Sequence, residues 1–178
     1  EDEFSYLLAQ QKWSAIAVKR EESPEIYTLE SKALRLEIDK KTLALKVFNA
    51  NGDLISSEGN TDQNGYYQKE ILSGISKNIL SDEHFFGFGE RMDFLDQKGK
   101  LLEMNVGRGL QRPHIIGAYN ILEANYAPVP FMMSTKGYGI FYHTTQPSTF
   151  DLGKSQKDKL TFEAEGTHVD YFFMYGPQ

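Results

Sequence analysis

The chain contains no cysteine, which removes disulfides, thiolate metal ligands and thiol nucleophiles together. It lacks a basic excess: 19 Lys and Arg stand against 25 Asp and Glu, for a net charge of -6. A surface that neutralises phosphates needs the opposite balance, so nucleic acid is excluded as a partner. No apolar run approaches the roughly 20 residues of a spanning helix, so no membrane span is expected. There is also no initiating methionine. The chain opens at Glu1, which reads as a processed protein or a cut piece, and a removed signal peptide would place it in the periplasm or outside the cell.

Several motifs are missing as well. Gly87-Phe88-Gly89-Glu90-Arg91 has neither the third glycine nor the surrounding βαβ unit of a dinucleotide fingerprint, and no Gly-Lys-Ser/Thr follows as a P-loop requires. No G-x-S-x-G elbow occurs. The four histidines, 84, 114, 143 and 168, have no metal-ligand spacing, so no metal or other cofactor is expected.

What is present is strand chemistry. Ten Tyr and twelve Phe accompany a single Trp, and aromatics of this kind favour pleated surfaces. Leu34, Leu36 and Ile38 alternate with charged residues. Leu43, Leu45 and Val47 alternate with Ala44 and Lys46, and a Lys40-Lys41 tip lies between the runs. That is a hairpin pattern. Asn51-Gly52 supplies the next turn, before a short run at Leu54-Ile55. Residues 56–69 are polar and glycine-bearing and read as an exposed loop. Residues 128–152 read as strand, Lys136-Gly137 turn, strand, and DKLTFEAEG with THVDYFFMYG as another such pair. Residues 4–18 show no clean period and leave strand and short helix open. No amphipathic helix emerges anywhere, so the fold class is all-β, an antiparallel β-sandwich in a single domain over 1–178. Leu34, Leu36, Ile38, Phe86, Phe88, Phe131, Ile140, Phe141, Phe172 and Phe173 are the expected core.

Two stretches invite chemistry. Glu90, Asp93 and Asp96 would suit a carboxylate pair for sugar hydrolysis, but a strand end followed by a turn at Lys98-Gly99 explains them with less. Residues 101–127 have mixed chemistry and no period, and a loop of that length within a compact domain is usually functional.

At HFFGFGER the sequence resembles the Tyr/Phe-Gly-Leu-Gly-Glu-Arg stretch of glycoside hydrolase family 31, the α-glucosidase and α-xylosidase group. ALRLEIDKKTLALKVFNANGDLIS resembles that family's early hairpin. VPFMMSTKGYGIFYHTTQPSTFDLG resembles its Pro-Phe and Tyr-Gly strand pair, and THVDYFFMYGPQ its exit strand. These pieces cover residues 30–178 in the family's order. The resemblance implies a galactose-mutarotase-like β-sandwich that precedes a catalytic (β/α)₈ barrel, with the chain stopping near the barrel's entrance at Gly176-Pro177-Gln178. The implied parent is a retaining α-glycosidase with two catalytic Asp on barrel segments. Neither segment is here, so no catalytic residue is carried over, and this stretch alone is expected to be inactive. Its partners would be its own C-terminal barrel and, through the parent enzyme, a carbohydrate substrate.

The family's sandwich also sends a loop over the barrel mouth, commonly with the pattern Trp-Asn-x-Asp. The corresponding stretch here is Met104-Asn105-Val106-Gly107. The resemblance assigns substrate contact to Asn105, and Arg108 follows as a fork of donors suited to sugar hydroxyls. Met104 and Gly107 depart from the pattern, which leaves sugars other than glucose open. Two rival readings use the same fold: a free-standing carbohydrate-binding module, with an exposed row of aromatics, and an aldose epimerase, with His84 and Glu90 or His143 and Asp151 converging in a cleft.

Overall fold

The computed structural model describes residues 5–9, 12–59, 65–91, 94–104 and 125–176. Fourteen strands occupy these residues, all paired antiparallel, and no helix is present among them. The strands form three sheets.

The first sheet is a meander in chain order: β1 (Lys19–Glu22), β2 (Ile26–Glu30), β3 (Leu34–Asp39), β4 (Leu45–Asn49) and β5 (Leu54–Ser57). Short polar side chains close its turns. Asp39 Oδ1 accepts the amides of Lys41 and Thr42, at 3.0 and 2.7 Å, so the carboxylate stands in for a backbone carbonyl between β3 and β4. Asn49 Oδ1 does the same for Asn51 and Asp53, where Gly52 takes the positive φ (87°) that the turn needs. The expected hairpin across Lys40-Lys41 is therefore present.

The other two sheets make the sandwich. One orders its strands β6 (Tyr66–Lys69), β7 (Leu72–Asn78), β13 (Lys159–Glu165), β12 (Ser148–Leu152) and β9 (Leu101–Met104). The other runs β14 (Tyr171–Tyr175), β11 (Tyr138–Tyr142), β10 (Asn125–Ser134) and β8 (Phe85–Arg91). Alternation along each strand turns one set of side chains inward. Leu102, Phe150, Leu152, Leu160 and Phe162 meet Phe85, Phe88, Met132, Ile140 and Tyr142 in one core. Tyr142 stacks on Phe162 at 3.9 Å, and Phe150 sets its edge against both Tyr142 and Phe88. Burying each such ring contributes about 2–3 kcal/mol.

Several expectations need correction. Of the expected core only Phe88 and Ile140 are fully buried. Phe86, Phe131, Phe141 and Phe172 lie on the opposite face of their sheet, one residue out of phase with the inward set, and are half-buried there. Phe173 packs on the core from its rim, and Leu34, Leu36 and Ile38 are half-buried in the first sheet. The 56–69 stretch is no exposed loop at its ends: Ser56 and Ser57 finish β5 in the interior, Glu58 is 7% exposed, and Tyr66–Lys69 is β6. The long segment is shorter than 101–127, because β9 takes 101–104 and β10 begins at Asn125. Finally, β13 and β14 are not a hairpin. The chain crosses from one layer to the other at Gly166–Asp170, so β13 pairs with β7 and β12 while β14 pairs with β11. Residues 5–9 and 12–18 form neither strand nor helix.

The Gly87-Phe88-Gly89 run is where β8 departs from regular strand. All three residues have positive φ, at 104°, 69° and 85°. Opposite them β10 is bulged: Gly89 pairs with Pro128 and Gly87 with Met132, so three residues of β10 face one of β8. A Cβ on Gly87 would sit 2.7 Å from the Phe131 carbonyl oxygen, and one on Gly89 only 2.0 Å from that of Ala127. The glycines admit a backbone, and Pro128 and Pro130 are tolerated because the bulge relieves them of ladder donors. Phe88 bears a left-handed conformation that costs a bulky residue about 1–3 kcal/mol, offset by complete burial of its ring.

Candidate functional site

Asn105, Arg108 and Asp93 lie outside the described residues. The 105–124 segment joins Met104, the last residue of β9, to Asn125, the first of β10. Its two feet stand in different layers: Met104 pairs with Ser148 of β12, and Asn125 pairs with Arg91 of β8. At the far end of β10, Ser134 neighbours Tyr138, which neighbours Tyr175 at the end of β14. Because β10 is bulged, its paired strand gives the span: β8 covers the same stretch from Arg91 to Phe85, roughly 20 Å at ~3.3 Å per residue.

Between them lies an apolar surface. Phe131, Phe141 and Phe172 are direct cross-strand neighbours on the outward face, with the last two rings stacked at 6.3 Å. Phe86, Met133, Gly139 and Met174 form the adjacent row. The Phe131 ring leans over Gly139, where a Cβ would meet it at 3.1 Å. Met133 and Met174 are 46% and 43% exposed. The N-terminal segment reaches the edge of this surface, with Trp13 5.6 Å from Phe172, and it carries exposed Tyr6 and Ile16.

The histidines do not pair as expected. His84 Nδ1 lies 2.6 Å from Asp96 Oδ2 rather than engaging Glu90, which is exposed on β8. Burial pushes the Asp96 carboxyl up, but the Lys98 amide, His84 and the Phe85 amide outweigh it and hold it below the usual carboxylate range. Asp96 thus caps the turn to Lys98-Gly99, consistent with its simpler reading. Asp151 accepts the Lys154 and Ser155 amides at the end of β12. His143 instead has Asp170 Oδ2 at 2.8 Å from Nδ1 and Ser5 Oγ at 2.7 Å from Nε2. The order Ser-His-Asp resembles a nucleophile with its base. Yet Ser5 Oγ also accepts the amides of Leu7 and Leu8, at 3.1 Å each, and with its lone pairs so held it fastens the N-terminal segment rather than attacking a carbonyl.

Two buried carboxylates escaped the sequence reading. Glu58 Oε1 receives the Tyr171 hydroxyl at 2.6 Å and the Lys77 ammonium at 3.3 Å, and its Oε2 receives the Leu45 amide. Glu58 and Lys77 also form an isolated bridge, so the cluster ties the first sheet to both layers of the sandwich. Glu83, 1% exposed, accepts from Ser134 Oγ and Tyr138 OH at 2.6 Å each and from the Leu80 amide. Burial, then the neighbouring carboxylate charge, pushes the Tyr138 and Tyr171 hydroxyls well above their ordinary range. Burial does the same to Tyr142, with Glu58 next. Each carboxylate is engaged by its own donors in a closed interior, which suits joinery and not proton transfer to a ligand. Lys77 was findable in principle, since it falls two residues after inward Ile75 in an alternating strand.

Residues 1–151 match the model of the glycosyl hydrolase 31 N-terminal galactose mutarotase-like domain. Alpha-glucosidase 2 of Bacillus thermoamyloliquefaciens is 28% identical over 159 residues, which is 88% of this chain and 19% of that protein. Alpha-xylosidase XylQ of Lactiplantibacillus pentosus is 25% identical over 163 residues, 88% of this chain and 20% of its own length. Among solved structures, a Flavobacterium johnsoniae GH31 dextranase complexed with isomaltotriose superimposes with a TM-score of 0.82 at 27% identity, over 98% of this chain and 21% of that one. The chain thus spans about a fifth of the length of the relatives it matches.

Proposed function

Because the chain belongs to the glycosyl hydrolase 31 N-terminal galactose mutarotase-like domain family, we propose that it is the non-catalytic sandwich of a retaining α-glycosidase. In this reading it holds a substrate loop over a barrel that follows it in the full-length polypeptide. The observation that carries the proposal is the placement of three features on one sheet. The foot of the 105–124 segment stands at one end of β10, the end of β14 at the other, and a continuous apolar face lies between. A barrel that begins after β14 and also meets the loop near its foot at Asn125 would lie along that face. Phe131, Phe141, Phe172, Met133 and Met174 would then be covered by it, which removes an exposed apolar patch that a lone domain has little reason to carry.

The chemistry belongs to the barrel. Retention of configuration uses two carboxyl groups about 5–5.5 Å apart, one as nucleophile and one as acid and base. Glu58 and Glu83 are closed into structural networks, Asp96 and Asp151 cap turns, and Glu90 stands exposed on β8. Asn105 and Arg108 are the residues we place at the substrate, donating to and accepting from hydroxyls of the sugar next to the cleaved bond.

The test compares this stretch with the full-length polypeptide on aryl α-glucoside and α-xyloside. Turnover should reside in the full-length protein alone. Turnover by residues 1–178, abolished by Glu90→Gln, would overturn the reading. In the full-length protein, Asn105→Ala and Arg108→Ala should each lower kcat/KM on a disaccharide by about 1–3 kcal/mol of transition-state stabilisation. Near-wild-type values on both a disaccharide and an aryl glycoside would remove the loop from the site.

A further inference from the structure

The sandwich has a second outward face, on the sheet away from the apolar surface, and it is polar. Along β6, β7, β13 and β12 one row of outward positions reads Tyr67, Gly74, Glu163, Thr149, each the register partner of the next. The row beside it pairs Thr161 with Asp151. Gly74 is the key to this surface. A Cβ there would lie 2.7 Å from Tyr67 Cζ and 2.8 Å from its hydroxyl. With no side chain in the way, the Tyr67 ring lies flat across β7, and its hydroxyl donates to Glu163 Oε1 on the next strand at 2.9 Å. Lys69 Nζ reaches the same oxygen at 3.1 Å and stands 4.8 Å from the ring centroid. Burial first, then Glu163, pushes the Tyr67 hydroxyl far above its ordinary range, so it stays a neutral donor.

Beyond this platform opens a groove of about 580 Å³, within the ordinary size of ligand clefts. Its wall is the turn after β12, where Asp151 accepts the Lys154 and Ser155 amides and so fixes Ser155 and Gln156 along the rim. Charges in the lining cancel, with Lys69 and Lys159 against Asp151 and Glu163. The remaining groups are mainly hydroxyls and an amide, which both donate and accept.

This lining selects by chemistry. An anion would meet two carboxylates and a cation two ammonium groups. A neutral polyhydroxylated chain satisfies both kinds of partner at once. We infer that this groove is a binding site for a neutral polysaccharide, on the opposite face of the sandwich from the apolar surface. The inference rests on the lining and not on the catalytic reading above. Its role would be to hold a long polysaccharide chain against the protein.

The experiment is affinity electrophoresis of the full-length polypeptide in native gels cast with dextran, amylopectin or xylan, and with dextran sulfate as the anionic comparison. Thr149→Val and Glu163→Gln are the variants, since the first keeps shape and the second keeps an acceptor for Tyr67. Wild type should be retarded by at least one neutral polymer, and both variants should lose at least fivefold in apparent affinity. Their kcat/KM on an aryl α-glycoside should be unchanged, because that substrate is too short to reach the groove. Wild type unretarded by all three neutral polymers, variants retarded as strongly as wild type, or retardation by dextran sulfate alone would each overturn the proposal. Absence of aryl glycoside hydrolysis in the wild type would instead count against the catalytic reading and leave the groove's result standing.

Discussion

Replacing Gly89 with alanine separates two costs that usually travel together. Gly89 and Gly52 have nearly the same φ, 85° and 87°. A left-handed conformation costs an L-residue about 1–2 kcal/mol, reduced by ~0.4–1 kcal/mol because alanine also restricts the unfolded chain. Gly52→Ala should show only that remainder, since nothing lies within 4 Å of its added Cβ. At Gly89 the same atom would sit 2.0 Å from the Ala127 carbonyl oxygen and 2.7 Å from the Val129 nitrogen. Both are backbone atoms with no rotamer to yield, so β8 and β10 have to separate over the buried Phe88 ring. Overpacking of this kind costs roughly 1–3 kcal/mol. The gap between the two variants should therefore be about 2 kcal/mol, read from urea midpoints by circular dichroism with a shared slope. A gap under about 0.5 kcal/mol would refute the close approach as the reason for glycine at 89.

Other outcomes follow from the buried polar clusters and the outward faces. Tyr138, Tyr142 and Tyr171 have raised values in the fold, so their contribution is intact below the unfolded value near 10 and is lost as pH climbs above it. Three such groups give a decline of about 4 kcal/mol per pH unit, and urea midpoints that stay level from about pH 9 to 11.5 would contradict it. Lys77→Met leaves Glu58 buried with one charged partner gone and should cost about 3–5 kcal/mol, with part regained in the Glu58→Gln, Lys77→Met double variant. Equal losses in the single and double variants would show that the pair does not act as a unit. Met133→Lys and Met174→Lys should barely alter the melting of residues 1–178 but should lower that of the full-length polypeptide, and equal effects on both would leave the apolar face without a partner.

Much of the fold was legible because strand periodicity is a local signal. The β3–β4 and β10–β11 hairpins can be read from alternation plus a turn, since both strands and their closure lie within a few residues. Phase was the harder quantity. Composition alone cannot say whether Phe141 or Tyr142 faces inward, because the two aromatics are adjacent at the end of β11 and the opposite sheet makes the choice. Pairing between layers was invisible for the same reason: β13 and β14 are adjacent in sequence, yet each finds its partners elsewhere. Glu58 and Glu83 read as surface residues until their side-chain donors arrive from 19 to 113 positions away. The residues proposed to meet substrate, Asn105 and Arg108, were reached only through resemblance, since an Asn and an Arg in an aperiodic stretch carry no pattern of their own.

The two feet of the 105–124 segment have a consequence for how such a domain diversifies. Each foot is fixed by its own layer, Met104 through β12 and Asn125 through β8, so neither strand's register depends on what joins them. Lengthening the connection costs little, about 0.6 kcal/mol for each doubling of a flexible loop. Insertions and deletions there are therefore nearly neutral to the sandwich while altering what is presented at its end. On the proposed reading of Asn105 and Arg108, the architecture uncouples heritable change in specificity from heritable risk to folding.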